Sequence, residues 1–299
     1  MRRDVGIAFA GGGIKALSQI AMVEWMENQG ITPLCVSGTS AGAMISALVS
    51  MRLNADEIFN EIKEAVIEIE QRKILKVSGR ELLFNRSFKH GLIDNRKLED
   101  LVIKICEKHG FKHIQDVKIP LAITAVDLYT GNLIVFVSHP DLYHNTHRRT
   151  QVISDISLAK AISASMSFPV VFGSVEYENM ALIDGGVRMN APIPMLRDYG
   201  AKKTLAITMR GEIASDEPLN RSVEVISRVY DLLAREAEYR HTSQADYLLN
   251  VPVVVDNIFD LDAAERIYQQ GKSVITDQEQ LLKTFFKKGL WDQMKGWFE

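Results

Sequence analysis

Gly38-Thr39-Ser40-Ala41-Gly42 follows the pattern G-x-S-x-G. A serine hydroxyl is a weak nucleophile until a base takes its proton and a donor set holds the oxyanion that its attack on a carbonyl creates. The surroundings of Ser40 meet the local requirement. Residues 33–37 read as a short buried strand and 43–49 as the start of a buried helix. A sharp strand-to-helix turn projects the hydroxyl away from the backbone. Small residues on either side let strand and helix approach closely, and the new helix aims its free N–H groups and positive dipole end at developing negative charge. The plain alternative is a helix start built of small residues.

Candidates for the other two tasks lie on either side. Gly11-Gly12-Gly13 follows an apolar run and opens a helical pattern, so its amides can face an oxyanion without side-chain obstruction. A phosphate-binding loop of the G-x-x-x-x-G-K-[ST] type is absent, and a dinucleotide fingerprint would place a final glycine where Ala16 stands. With a serine turn one βα unit later, an oxyanion hole is the more economical role. Lys15 either adds positive charge there or is a solvated helix residue. Asp184 ends an apolar run and is followed by Gly185-Gly186, as a base with room around it or as a turn aspartate of the common D-G type. His241 alone among the histidines follows Asp184, but it sits in a polar helical stretch and reads as a surface or edge histidine. His139, His144 and His147 lack the spacing of a zinc motif and read as a solvated loop. No metal is expected.

Positioning these residues requires a β-α-β-α start: a strand over 5–10, a helix over about 14–29 stopped by Gly30, the short strand, and the helix after Ser40. An amphipathic helix is expected over 56–72, and one over 95–109 with Asp94 as N-cap and Gly110 as stop. Strands over 119–126 and 133–137 form a hairpin. A small-residue helix over 155–166, strands over 181–183, 204–209 and 247–255, a long charged helix over 222–245 and two closing helical stretches complete the chain. Residues 73–91 mix basic and apolar side chains without period. An ordinary loop with buried anchors is the preferred reading, and a lid touching a lipid surface through Phe84 and Phe88 the alternative.

The chain has 299 residues, 46% of them hydrophobic, enough for a substantial core, and reads as one domain with a motif-bearing core over about 5–200 and a helical extension over about 256–299. A net charge of −3 gives no reason to expect a nucleic acid partner. Cys35 and Cys106 lie in apolar runs and fit buried thiols better than a disulfide. The basic start and six-residue apolar run are too short for a signal peptide, and no stretch approaches a membrane span, so a cytoplasmic location is expected.

Together the motifs resemble the patatin-like phospholipase family: a glycine-rich loop at Gly11-Gly12-Gly13-Ile14-Lys15, the serine turn at Gly38–Gly42, and a distant D-G-G at 184–186. Residues 164–169 with Phe172 resemble the segment before the family's aspartate. The resemblance spans about 5–194, and departs at Ala16, where many members carry glycine, a change expected to affect packing more than chemistry. It implies a three-layer α/β fold with a mainly parallel sheet. It also implies a Ser40–Asp184 dyad without histidine and an oxyanion hole of Gly11, Gly12 and Gly13, supported by Lys15, Gly38, Gly42, Gly185 and Gly186. The activity implied is hydrolysis of lipid or acyl-ester substrates without a cofactor, at most peripheral to a membrane. A lipid-binding protein with little turnover and an acyl-CoA thioesterase or acyltransferase are the alternatives.

Overall fold

The computed structural model describes residues 4–72, 91–211, 222–253, 255 and 263–287. Residues 73–90, which carry the lid question, lie outside the described residues, as do both ends of the expected C-terminal extension.

A nine-stranded sheet runs in the order β11-β10-β1-β2-β4-β5-β6, with a β8–β9 hairpin attached to β4. Its left half is parallel: β11 (Tyr247–Asn250), β10 (Lys203–Thr208), β1 (Val5–Phe9), β2 (Cys35–Thr39) and β4 (Leu121–Asp127). β5 (Leu133–Val137) returns antiparallel to β4, and β6 (Thr150–Ile153) runs parallel to β5. β8 (Val175–Tyr177) and β9 (Met180–Asp184) complete the sheet. A separate two-stranded parallel sheet joins β3 (Gly91–Ile93) to β7 (Val170–Phe172). No helix among the described residues is long and apolar enough to cross a membrane.

Alternation along β1 separates two cores. Val5, Ile7 and Phe9 face a large apolar layer built by α1 (Ile20–Asn28), α2 (Ala41–Ser50), α3 (Ala55–Gln71), α4 (Arg96–Lys108) and α5 (Leu158–Ser165). Ala8 and Ala10 face the opposite layer, where α6 (Ile193–Asp198) packs. That second face is small for a reason. A Cβ on Gly6 would stand 2.9 Å from the Leu196 Cβ, so α6 can lie this close only over glycine and alanine. Both cysteines are buried free thiols, and burial pushes each up to about 12.

The mostly parallel sheet between helical layers is the expected architecture, with local departures. Residues Gly13–Gln19 form a 3-10 turn before α1 instead of one continuous α-helix. β11 stops at Asn250, short of the expected 255, because Pro252 has no N–H to continue the ladder. Asp94 does accept from the Arg96 amide at 3.0 Å, while Asn95 is already helical and turns its side chain to Ser167 Oγ at 2.6 Å. The long helix is α7 (Ser222–Thr242), and the closing pair α8 (Ala264–Asp277) and α9 (Glu279–Phe286).

Candidate active site

Ser40 occupies the turn between β2 and α2 with φ 56° and ψ −130°, a backbone conformation that side chains rarely adopt. Close packing imposes it. A Cβ on Gly38 would fall 2.2 Å from the Gly42 carbonyl oxygen, and one on Gly42 2.2 Å from the Phe9 carbonyl oxygen. Only glycine at both positions lets the turn close against β1. The Ser40 amide donates to Ser165 Oγ at 2.8 Å, and Ser40 begins α2, whose first amides face it.

Strand register brings Asp184 to the same place. β4 pairs with β5 along one edge over Ala122–Val126. Its other edge is shared: β2 occupies it parallel at 121–124, and β9 antiparallel at 125–127. The C-terminal ends of β2 and β9 therefore point at each other, with Thr39 opposite Thr124 and Asp184 opposite Ala125. The hydroxyls of Thr39 and Thr124 pair at 2.6 Å across this junction, and Thr39 Oγ1 donates to the Met189 carbonyl at 2.8 Å. Gly185 sits on Thr124, where a Cβ would lie 2.5 Å from both Thr124 oxygens. Asp184 is 1% exposed, and its Oδ1 accepts from the Gly186 amide at 2.7 Å, which fixes the carboxylate's orientation. The end of α5 and the residues after it tie the two halves together: Ser165 Oγ accepts from the Ser40 amide, and the Ser167 carbonyl accepts from the Asp184 amide at 3.0 Å.

The glycine loop reaches Ser40 from β1. A Cβ on Gly11 would stand 2.9 Å from the Ser40 Cβ. One part of the expected donor set is corrected here. The Gly11 amide already donates to the Asn190 carbonyl at 3.2 Å, so it is not available to an oxyanion. Gly12 and Gly13 carry the next two amides, at the start of the 3-10 turn, where helix amides lack intrahelical acceptors. Lys15 lies beside Gly12, half-buried, with its amide donating to the Gly12 carbonyl at 3.2 Å. Gln19 pins the end of β1, its Oε1 accepting from the Ala10 amide and its Nε2 donating to the Ala10 carbonyl.

Beside Ser40 opens a cavity of about 140 Å³. It begins at Gly13 and Ala41 and runs between α2, α3 and α4, past Met44, Val66, Leu101, Val102 and Ile105 to Met166 and Phe172. Every described lining residue is apolar, Ala16 among them. Such a cavity admits hydrocarbon and gives water no partner.

The candidate histidines His139, His147 and His241 have other partners. His241, on the last turn of α7, is half-buried; burial lowers its pKa, and it faces the Arg188 carbonyl, His147 and Arg240. His147 Nε2 stands 3.2 Å from the buried Asp198 carboxylate, and His139 Nδ1 2.7 Å from Ser138 Oγ. Sequence reasoning missed Thr39, Thr124, Asn190 and the hydrogen-bonding roles of Ser165 and Ser167. Serines at every second position over 163–167, where a helix of small residues ends, are the signal that points to the last pair.

Known proteins are similar to this chain. The Bacillus subtilis protein YqhO is 23% identical over 78% of this chain and 81% of its own length. Lysophospholipase NTE1 of Meyerozyma guilliermondii is 22% identical over 87% of this chain, which spans only 16% of that protein. Human GIVD cytosolic phospholipase A2 in complex with methyl gamma-linolenyl fluorophosphonate superposes with a TM-score of 0.50 at 12% identity, over 96% of this chain and 59% of the human one, a likeness of fold alone. The family model described as patatin-like phospholipase matches residues 7–197, which contain the serine turn, the glycine loop and the D-G-G segment, and the chain belongs to the patatin-like phospholipase family.

Proposed function

We propose that this protein is a serine lipid acyl hydrolase of phospholipase A or carboxylesterase type, working through a Ser40–Asp184 dyad. The observation that carries the reading is the end-on meeting of β2 and β9 on one edge of β4, which puts the strained serine turn and a buried carboxylate at one junction. Ser40 Oγ attacks the acyl carbonyl carbon and gives its proton to Asp184. The Gly12 and Gly13 amides take the oxyanion, each such donor worth about 10²–10³ in rate. Collapse of the tetrahedral intermediate breaks the ester bond, and the leaving alcohol takes the proton back from Asp184. Water, losing a proton to Asp184, then attacks the acyl-enzyme, and as the ester bond breaks the Ser40 oxygen takes that proton back and the carboxylic acid leaves. The apolar cavity beside Ala41 seats the acyl chain, each methylene contributing about 0.8 kcal/mol on leaving water. The family, and the lysophospholipase name of its relative NTE1, support a lipid ester as substrate.

Hydrolysis of p-nitrophenyl esters and of lysophospholipid by wild type, Ser40→Ala, Asp184→Asn and His241→Ala tests the dyad. Both dyad variants are expected to lose roughly 10³-fold or more in kcat while keeping their melting temperature, and His241→Ala to stay active. Fluorophosphonate labelling is expected to follow Ser40. Turnover retained in Ser40→Ala overturns the reading, and loss in His241→Ala replaces the dyad with a triad.

A further inference from the structure

The Gly12 amide is held from behind by a chain of contacts that starts outside the family-matched segment. In a trans peptide the carbonyl and the following N–H point in opposite directions. The Gly11 carbonyl therefore sets where the Gly12 N–H aims. That carbonyl accepts from Asn190 Nδ2 at 3.2 Å, and the Gly11 amide donates to the Asn190 backbone carbonyl at 3.2 Å. Asn190 thus brackets Gly11 from both sides. Gly11 is glycine to admit it, since a Cβ there would lie 2.6 Å from Asn190 Oδ1.

A primary amide can rotate and offer either its oxygen or its nitrogen, so Asn190 needs its own constraint. Its second Nδ2 hydrogen goes to Glu238 Oε2 at 2.7 Å. Glu238, on α7, is 5% exposed. Its other oxygen accepts from Arg210 Nε at 2.7 Å. Arg210 is itself held, with Nη2 donating to Thr242 Oγ1 at 2.5 Å and its backbone amide donating to Asn250 Oδ1 at 2.8 Å. A carboxylate accepts only, so it forces the nitrogen of Asn190 toward itself and thereby toward the Gly11 carbonyl.

We propose that Glu238 is a positioning residue for the oxyanion hole: acting through Asn190, and oriented by Arg210, it fixes the direction of the Gly12 N–H. This rests on the hydrolase reading above. A structural tie between α7 and the end of β10 would need the same contacts, so the test must separate geometry of the donor from stability of the fold.

Glu238→Gln does so, because it keeps size and shape. The Arg210 cation claims the one oxygen, and the new amide then confronts Asn190 donor to donor. The expected result is a fall in kcat of about 10- to 100-fold, part of the value of one oxyanion donor. KM for a p-nitrophenyl ester should stay within about threefold. Affinity for a long-chain alkyl trifluoromethyl ketone, whose Ser40 adduct carries an oxyanion, should fall by the same factor as kcat. Glu238→Gln/Arg210→Met frees the oxygen to face Asn190 and is expected to recover a large part of the loss. If Glu238→Gln does not fold, Asn190→Ala, which keeps the backbone acceptor for Gly11 and removes only the donor to its carbonyl, reads the same geometry. A folded Glu238→Gln or Asn190→Ala with kcat and ketone affinity within twofold of wild type overturns the inference while Ser40-dependent turnover stands. Higher KM at constant kcat overturns it too. A wild type without Ser40-dependent turnover brings down the hydrolase reading and this inference together.

Discussion

Ser40 holds its unusual backbone angles at a cost of about 1–3 kcal/mol, which the surrounding contacts must offset. Ser165 is one of them, since its hydroxyl is the acceptor for the Ser40 amide. Ser165→Ala leaves that amide without its acceptor and is expected to cost about 1–3 kcal/mol of stability together with a loss in kcat. Calorimetry beside ester hydrolysis checks this; an unchanged melting temperature and kcat would show that the turn holds without Ser165. At this scale the sequence offers as candidates the residues whose type is itself the signal. A serine between glycines, a glycine triplet and an aspartate before two glycines are rare enough in order to point to one chemistry. Glu238 was invisible because it is one acid among many on a charged helix, and nothing in its neighbours distinguishes a carboxylate aimed inward at Asn190. The Gly11 amide was misassigned for a related reason: a glycine's freedom is legible, but the acceptor that uses its N–H comes from residue 190.

Asp127 shows what an element needs to deliver a residue. It ends β4, and its carboxylate accepts from Thr130 Oγ1 at 2.5 Å, from the Tyr129 and Thr130 amides in the hairpin turn, and from the Ala181 amide of β9 at 3.2 Å. One side chain thus holds the turn and the strand that ends in Asp184. Burial would raise its pKa, but these donors outweigh burial and lower it below 3.8. A carboxyl group depressed in the folded state contributes stability above its unfolded value, and that contribution is lost as pH falls through the folded value. Asp127→Asn is therefore expected to lower the melting temperature at pH 7, with the gap to wild type closing as pH drops below about 3.8. A gap that stays constant from pH 7 to pH 3 would refute the assignment. Strands such as β1 were legible as short apolar runs buried on both faces, and helices such as α3 by their one-sided burial. The 3-10 turn over Gly13–Gln19 was not, since periods of 3.0 and 3.6 barely separate within seven residues.

Across the molecule, the C-terminal third braces the glycine loop from two directions. α7 does so through Glu238, and α8 by direct contact. Gly271 on α8 lies so close to the 3-10 turn that a Cβ would fall 2.2 Å from the Ser18 carbonyl oxygen. Lys272 Nζ and Tyr268 Oη, on the same helix, bond to the Glu24 carboxylate of α1 at 2.9 Å and 2.8 Å. Gly271→Ala must push α8 off the backbone that carries Gly12 and Gly13, at a cost of about 1–3 kcal/mol. It is expected to lower both melting temperature and kcat, whereas an alanine tolerated without change in either would show that α8 is not pressed against the turn. This contact joins residues 253 apart in sequence, which is why no local pattern announced it.

The pairing of β1 with β10 has a consequence for how the chain is made. Val5 is in register with Lys203 and Phe9 with Ile207, so β1 lies between two partners, one of which is synthesised almost two hundred residues later. At 5–20 residues per second, β1 waits about 10–40 s for that neighbour. Through that interval it is an apolar strand with one edge unpaired, the kind of surface that chaperones cover. Glu238 and Gly271 are later still, so the glycine loop beside Ser40 gains its bracing contacts only after residue 271 has been made.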